Sequence, residues 1–140
     1  MANNLEKISS FINEHHVMSL ASSNNLELSV CSLFYAYSSD ELSFVVASSD
    51  NTTHIKNIKQ NKNIAGNILL ETKSVGKIQG LQFRGEFVLL EDENLRKLYF
   101  QEFPYALAMQ PKLWKIKVNY FKLTDNRFGF GNKLIWQEPL

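Results

Sequence analysis

The residues best suited to chemistry sit together in SSDNTTHIKNIKQNK, positions 48 to 62. Ser48, Ser49, Thr52 and Thr53 supply hydroxyls, His54 an imidazole, and Lys56, Lys59 and Lys62 follow at helical spacing. An apolar run, LSFVVA at 42–47, stops where the hydroxyls begin, so the cluster reads as the start of a helix. The first N–H groups of a helix lack intrahelical acceptors and its N-terminal end is electropositive, so such a start can hold a phosphate. The same residues also suit a plainer role, with Asp50 or Asn51 as the helix cap and the lysines as a solvated face. Both roles are open at this point.

Other chemically capable residues are sparse. His15 and His16 are neighbours at the end of a first helix, where their side chains diverge by about 100° and cannot share one metal unaided; a cation favoured by the helix C-terminus is the reading they support. Cys31, the only cysteine, lies in a strand with no base fixed near it in sequence, so it reads as a buried thiol. One cysteine forms no internal disulfide and no multi-thiolate zinc site, which fits a reducing cytoplasm. No HExxH, CxxC, GxSxG or phosphate-loop lysine pattern occurs, so no metal site is expected and no catalytic side chain is assigned. Any reaction would belong to a cofactor.

Composition narrows the partners. Lys and Arg total 15 against 14 Asp and Glu, a net charge of +1, which gives no electrostatic case for nucleic acid or an anionic membrane. The opening MANNLEKISSFINEHH has no basic start followed by an apolar core, and no window approaches the roughly 18 apolar residues of a membrane span. At 140 residues the chain has the size of one domain, 1–140, able to bury a core without disulfides.

The elements that must position these residues follow from periodicity. Leu5, Ile8, Phe11 and Ile12 give one apolar stripe and predict a helix over 4–16. VMSLAS, a turn at Asn24–Asn25, LELSVCSLFYAY, a turn at Ser38–Asp40, and ELSFVVA read as three early antiparallel strands. The hydroxyl-led helix follows over 52–60, then a strand at 63–72 and a long strand, KIQGLQFRGEFVLL, at 77–90. Gly80 and Gly85 within it signal a bulge or the close approach of another group. Residues 91–103 form a helix that ends before Pro104; 113–125 form a strand; a glycine-bearing turn, FGFG, leads to a last short strand, KLIW. Six or seven antiparallel strands with three short helices make an α+β, mainly β fold, closed most economically as a small barrel. Aromatics at 34, 35, 37, 83, 87, 114, 120 and 121 exceed what a small barrel is expected to hide, and predict an interface with a second copy.

Taken together, IQGLQFRGE at 78–86, TDNRFGFGNKLIW at 124–136 and the looser FVVASSDNTTHIKNI resemble the pyridoxamine-phosphate-oxidase-like, FMN-binding split-barrel superfamily. Within it the chain is most similar to the bacterial YhbP-type group, from the first helix to Trp136. The resemblance implies an antiparallel split β-barrel and a homodimer with two flavin sites in clefts between the subunits. It places the FMN phosphate at Ser48, Ser49, Thr52, Thr53 and His54, and the flavin ring near Phe34, Tyr35 and Ala36 and near Val45, Val46 and Ala47. Gln79 and Gln82 would add polar contacts, Gly80 and Gly85 would let backbone approach the ring, and Lys133 and Trp136 of the partner would form the opposite wall.

The sequence departs from the vitamin B6 oxidases of that superfamily. Its second strand, SVCSLFYAY, has no basic residue, His54 stands near the usual Lys or Arg, and only Arg127 and Lys133 are basic after position 122. Oxidation of vitamin B6 is thereby disfavoured. The expectation is an FMN-binding oxidoreductase for a small molecule that the sequence does not identify. The alternative is a non-catalytic dimeric binding protein of the same fold, holding haem, a deazaflavin or no cofactor.

Overall fold

The computed structural model describes residues 4–140. The first element, α1 (Asn4–Asn13), buries Ile8, Phe11 and Ile12, the expected stripe. It ends three residues before the predicted boundary, so His15 and His16 lie beyond it. Next come β1 (Val17–Ser23), β2 (Leu28–Phe34), β3 (Ala36–Ser38), β4 (Ser43–Ala47), α2 (Thr53–Gln60), β5 (Asn63–Leu70), β6 (Gln79–Leu89), α3 (Glu93–Glu102), β7 (Leu113–Asp125) and β8 (Lys133–Gln137). The strands form one eight-stranded sheet in the order β2-β1-β5-β6-β7-β4-β3, with β8 beside β7, and every pairing is antiparallel.

Length explains how β7 takes three partners. Its 13 residues lie along β6 on one side, while on the other residues 113–117 pair with β4 and residues 120–124 with β8. The two ends of the sheet path, β2 and β3, are consecutive in the chain and separated only by Tyr35. That joint curls the sheet into a half-barrel. Tyr35 is fixed by its N–H to the His16 carbonyl at 3.1 Å and its hydroxyl to the Ile12 carbonyl at 2.7 Å, so burial raises its phenol well above the ordinary value.

Period-two alternation sends one residue set inward and the other outward. Inside, Phe44 touches Tyr35, Tyr37, Phe83 and Phe121, with ring centroids 5.1, 5.2, 4.8 and 6.5 Å away. A second apolar cluster lies on the outside of β3 and β4, where Leu95, Tyr99 and Phe103 cover Ala36, Val45 and Leu113. Asp92 caps α3, accepting the N–H groups of Asn94 and Leu95 at 2.8 and 3.3 Å.

Aromatic content does not translate into exposed surface as predicted. Tyr35, Phe83, Phe87, Trp114 and Phe121 are buried within one chain, because all five turn into the barrel's own core cluster. Exposed apolar side chains lie instead on β2, at Leu28, Val30 and Phe34, and at Tyr105, Leu107 and Met109 after α3.

The β6 register shifts between Arg84 and Gly85, with Arg84 opposite Tyr120 and Gly85 opposite Val118. This is the expected bulge. Its close neighbour is the strand itself: a Cβ at Gly85 would collide with the Lys117 carbonyl oxygen, so the space assigned to a flavin's approach is filled by β7. Gly85→Ala is expected to destabilise the fold by about 1–3 kcal/mol, the range for overpacking. A denaturant midpoint equal to wild type would contradict it.

Candidate functional site

β4 delivers the chain to α2 through Ser48, which is held at both backbone ends. Its N–H donates to the Lys112 carbonyl at 3.1 Å, and its own carbonyl accepts the Trp114 indole N–H at 2.9 Å. Thr52, in place of the expected Asp50 or Asn51, is the N-cap: its hydroxyl accepts the Ile55 N–H at 3.4 Å and donates to the Ser49 carbonyl at 2.8 Å. With Thr52 so engaged, the N–H groups of Thr53 and His54 precede the first intrahelical bond, from Lys56 to Thr52, and the Thr53 side chain is exposed beside them.

One carboxylate gathers two ammoniums beside this helix start. Lys59 and Lys112 both bind Asp50, at 3.3 and 2.9 Å; hydrogen bonds from Lys112 and then Lys59 hold the Asp50 carboxyl below the usual carboxylate range. His54 Nε2 lies 2.7 Å from the Ser48 hydroxyl, and burial lowers its ordinary value, so the imidazole is neutral at pH 7. Its neutral form is favoured by folding; that contribution is present above the ordinary imidazole value and is lost as pH falls through the lower folded value.

A polar network sets the helix orientation. The Asn57 amide donates to the Ser22 and Ser29 hydroxyls at 3.2 and 3.3 Å and accepts from Asn24 at 2.8 Å, while Asn61 donates to Ser23 at 3.0 Å. These bonds pin α2 to the end of β1 and the start of β2. By contrast, α1 bonds Tyr35 and β8, so the two helices cover opposite ends of the barrel.

On the outer face, ladder register aligns side chains in rows. Val30, Ala21, Ala65, Arg84, Tyr120 and Gln137 form one row; Ser32, Ser19, Asn67, Gln82, Lys122 and Ile135 form the next. Between β2 and β7 these rows line a groove of about 590 Å³, within the range of small-molecule sites. Gly66 forms part of its floor, Asn67 and Gln82 stand directly opposite each other in the ladder, and the Arg84 guanidinium lies 4.0 Å over the Tyr120 ring. The groove thus offers flat apolar area, two amides and one stacked cation.

The predicted site residues divide four ways. Ser48, Ser49, Thr52, Thr53 and His54 gather at the start of α2. Phe34, Gln82 and Lys133 are exposed, Phe34 with its ring parallel to His16 at 6.0 Å and Lys133 with its ammonium on the Gly131 carbonyl at 3.1 Å. Tyr35, Val46, Gln79 and Trp136 turn inward, Trp136 against Phe121. Ala47, partly buried, packs on the layer covered by α3. Gln79 and Gln82 are three residues apart and so face opposite sides of β6.

Sequence reasoning did not single out Asn57, Asn67, Arg84 or Tyr120 as site residues. Stepping by two from Gln82 finds Arg84, but Asn67 and Tyr120 depend on ladder register, which is not written in either strand alone. Among the described residues, no three of His, Cys, Asp and Glu are placed to hold a metal ion, and no helix is long and apolar enough to cross a membrane.

No family model matches the chain. It is 36% identical over 135 residues to a UPF0306 protein of Cronobacter sakazakii, covering 94% of each chain. It is 33% identical over 136 residues to UPF0306 protein YhbP of Escherichia coli O127:H6, covering 95% of this chain and 97% of that one. Among solved structures, a heme binding protein from Mycobacterium smegmatis matches with TM-score 0.80 at 13% identity over 96% of this chain and 58% of its own. A FAD-binding protein from Mesorhizobium loti matches with TM-score 0.70 at 15% identity, covering 84% and 91%. The half-barrel therefore has the split-barrel fold, and with more than 30% identity across nearly the full length of both relatives, the protein belongs to the UPF0306 family of YhbP-type proteins.

Proposed function

We propose that the whole chain, 1–140, is one cytoplasmic split-barrel domain that forms a homodimer binding FMN in clefts between subunits. The bound flavin would supply electron or hydride transfer to a small molecule. The observation that carries this reading is the outer groove, whose apolar floor, facing Asn67 and Gln82 amides and stacked Arg84–Tyr120 pair suit a flat heteroaromatic ring with a polar edge. The start of α2 suits the tail, through the Thr53 and His54 N–H groups and the Thr53 hydroxyl. A second copy enters because Lys133 lies at the opposite end of β7 from that helix, and 13 residues at about 3.3 Å each put roughly 40 Å of strand between the ends. One flavin would reach both only across an interface.

The donor set fits a phosphate without a fixed positive charge, since Lys59 and Lys112 are engaged by Asp50 and His54 is neutral. FMN should therefore exceed riboflavin in affinity only modestly. Thr53→Ala is expected to weaken FMN by about 1.5–3 kcal/mol, the range for hydrogen bonds to charged groups, and to leave riboflavin unchanged. Asp50→Asn, which releases two ammoniums and removes a like charge, should tighten FMN alone. Paired titrations with light scattering test this; equal affinity for FMN and riboflavin in all three proteins, or a monomer throughout, would overturn it.

Haem is the second reading, favoured by the exposed His16 imidazole lying parallel to the exposed Phe34 ring and by the heme binding neighbour. A deazaflavin would occupy the same groove as FMN. Visible spectra separate the two classes: bands near roughly 370 and 450 nm indicate flavin and a strong band near about 410 nm indicates haem.

A further inference from the structure

A second concavity, about 270 Å³ and less than half the volume of the outer groove, lies between α1 and the ends of β6 and β7. Gln79 lines it. The residue is only 8% exposed, yet its carboxamide takes no part in the side-chain hydrogen bonds that hold the neighbouring turn, among the described residues. Among the described residues no fully buried side-chain polar atom lacks a partner, so the unpaired carboxamide is the part of Gln79 that meets the cleft, and the strand ladder uses only the Gln79 backbone.

The two charged groups of the neighbouring turn are matched to one another. Asp125 accepts the Arg127 Nε and NH2 groups at 3.0 and 2.8 Å and the Arg127 backbone N–H at 3.1 Å. The Lys7 ammonium lies 5.4 Å from the centroid of the Phe128 ring. Phe11 and Leu134 supply apolar wall. The turn is rigidly built: Asn126 donates its backbone N–H to the Ile78 carbonyl at 2.9 Å and its side-chain amide to the Val75 carbonyl at 2.8 Å. The two most distinctive sequence motifs, IQGLQFRGE and TDNRFGFGNKLIW, therefore meet at this cleft, at the end of the barrel remote from α2.

We propose that this cleft is a second ligand site, for a small uncharged heterocycle with a lactam or primary amide edge, read by the Gln79 carboxamide. A carboxamide presents one acceptor and two donors in a plane, which pair side by side with the N–H and C=O of such an edge. The buried Asp125 is matched by Arg127, and the cleft's other charges, Glu6, Lys7 and Glu14, are exposed along α1 and at its end, where water screens them, so no unmatched buried charge selects an ion; the aromatic and aliphatic walls suit a flat ring. Gln79 then belongs to this cleft and not to the flavin-binding face.

Uracil and nicotinamide are the probes, titrated to millimolar concentration into the ¹⁵N-labelled full chain. The expected result is saturable movement of the Gln79 side-chain NH₂ signal and of the Phe128 amide for at least one probe, unaltered by Thr53→Ala. Gln79→Met should abolish the response and leave the melting temperature equal or raised, because the carboxamide it removes has no partner to lose. No movement of the Gln79 signal with either probe overturns the proposal, as does a response that persists in Gln79→Met. Should that variant fold poorly, the wild-type titration decides alone.

Discussion

Phe44→Ala is expected to lower stability by about 3–5 kcal/mol, the range for removing a buried aromatic side chain and leaving a cavity. Phe44 is fully buried and touches rings from the β2–β3 joint, β6 and β7, so no single neighbour can move to fill the space without breaking another contact. A chain of this size has about 5–15 kcal/mol in total, so the variant should unfold at much lower urea concentration with an unchanged slope. The loss also bears on the site, because Phe44 anchors β4, and β4 places Ser48 and the start of α2. Phe44→Leu, which keeps most of the volume, should lose less than half as much. Equal losses for Ala and Leu would mean that ring packing, not filled volume, is what Phe44 provides.

The barrel was legible because its strands carry alternation strong enough to fix their inner faces. LWKIKVNYFKLTD keeps its bounds, 113–125, and the bulge announced by Gly85 sits at Arg84/Gly85. The start of α2 was legible to within two residues, because the hydroxyl-rich stretch is followed by Ile55 and Ile58 and by lysines at helical spacing. Which hydroxyl caps it was not, since Asp50, Asn51 and Thr52 all have capping side chains and the choice is settled by distant residues: Lys59 and Lys112 draw Asp50 away. The two faces of β6 were hard to tell apart for a simpler reason. Gln79 and Gln82 look alike in sequence, but a spacing of three puts them on opposite sides, and only one can line the outer groove. The groove itself joins β2, β1, β5, β6 and β7, elements from across the chain, so no local pattern encodes it.

Asn57→Leu should destabilise the protein by about 2–3 kcal/mol and, on the FMN reading, weaken FMN more than riboflavin. Asn57 is 2% exposed and shares its amide among Ser22, Ser29 and Asn24. Leucine has the same branched shape, though a larger volume, and would gain from burial, but it leaves the Ser22 hydroxyl, also buried, without that partner and releases the Asn24 amide; leaving a buried polar group unpaired costs about 1–3 kcal/mol. The sign is therefore set by polar groups left behind, against the apolar gain. Because these bonds join the middle of α2 to the β1–β2 hairpin, their loss should free the helix to shift while the barrel behind it persists. Hydrogen exchange should then accelerate in α2 and at Ser22 to Ser29, with little change in β6 and β7. Uniform acceleration across the chain would show that the network supports global stability only, and a melting temperature at or above wild type would show that burial of leucine outweighs the lost amide bonds and that α2 is held by Ile55 and Ile58 alone.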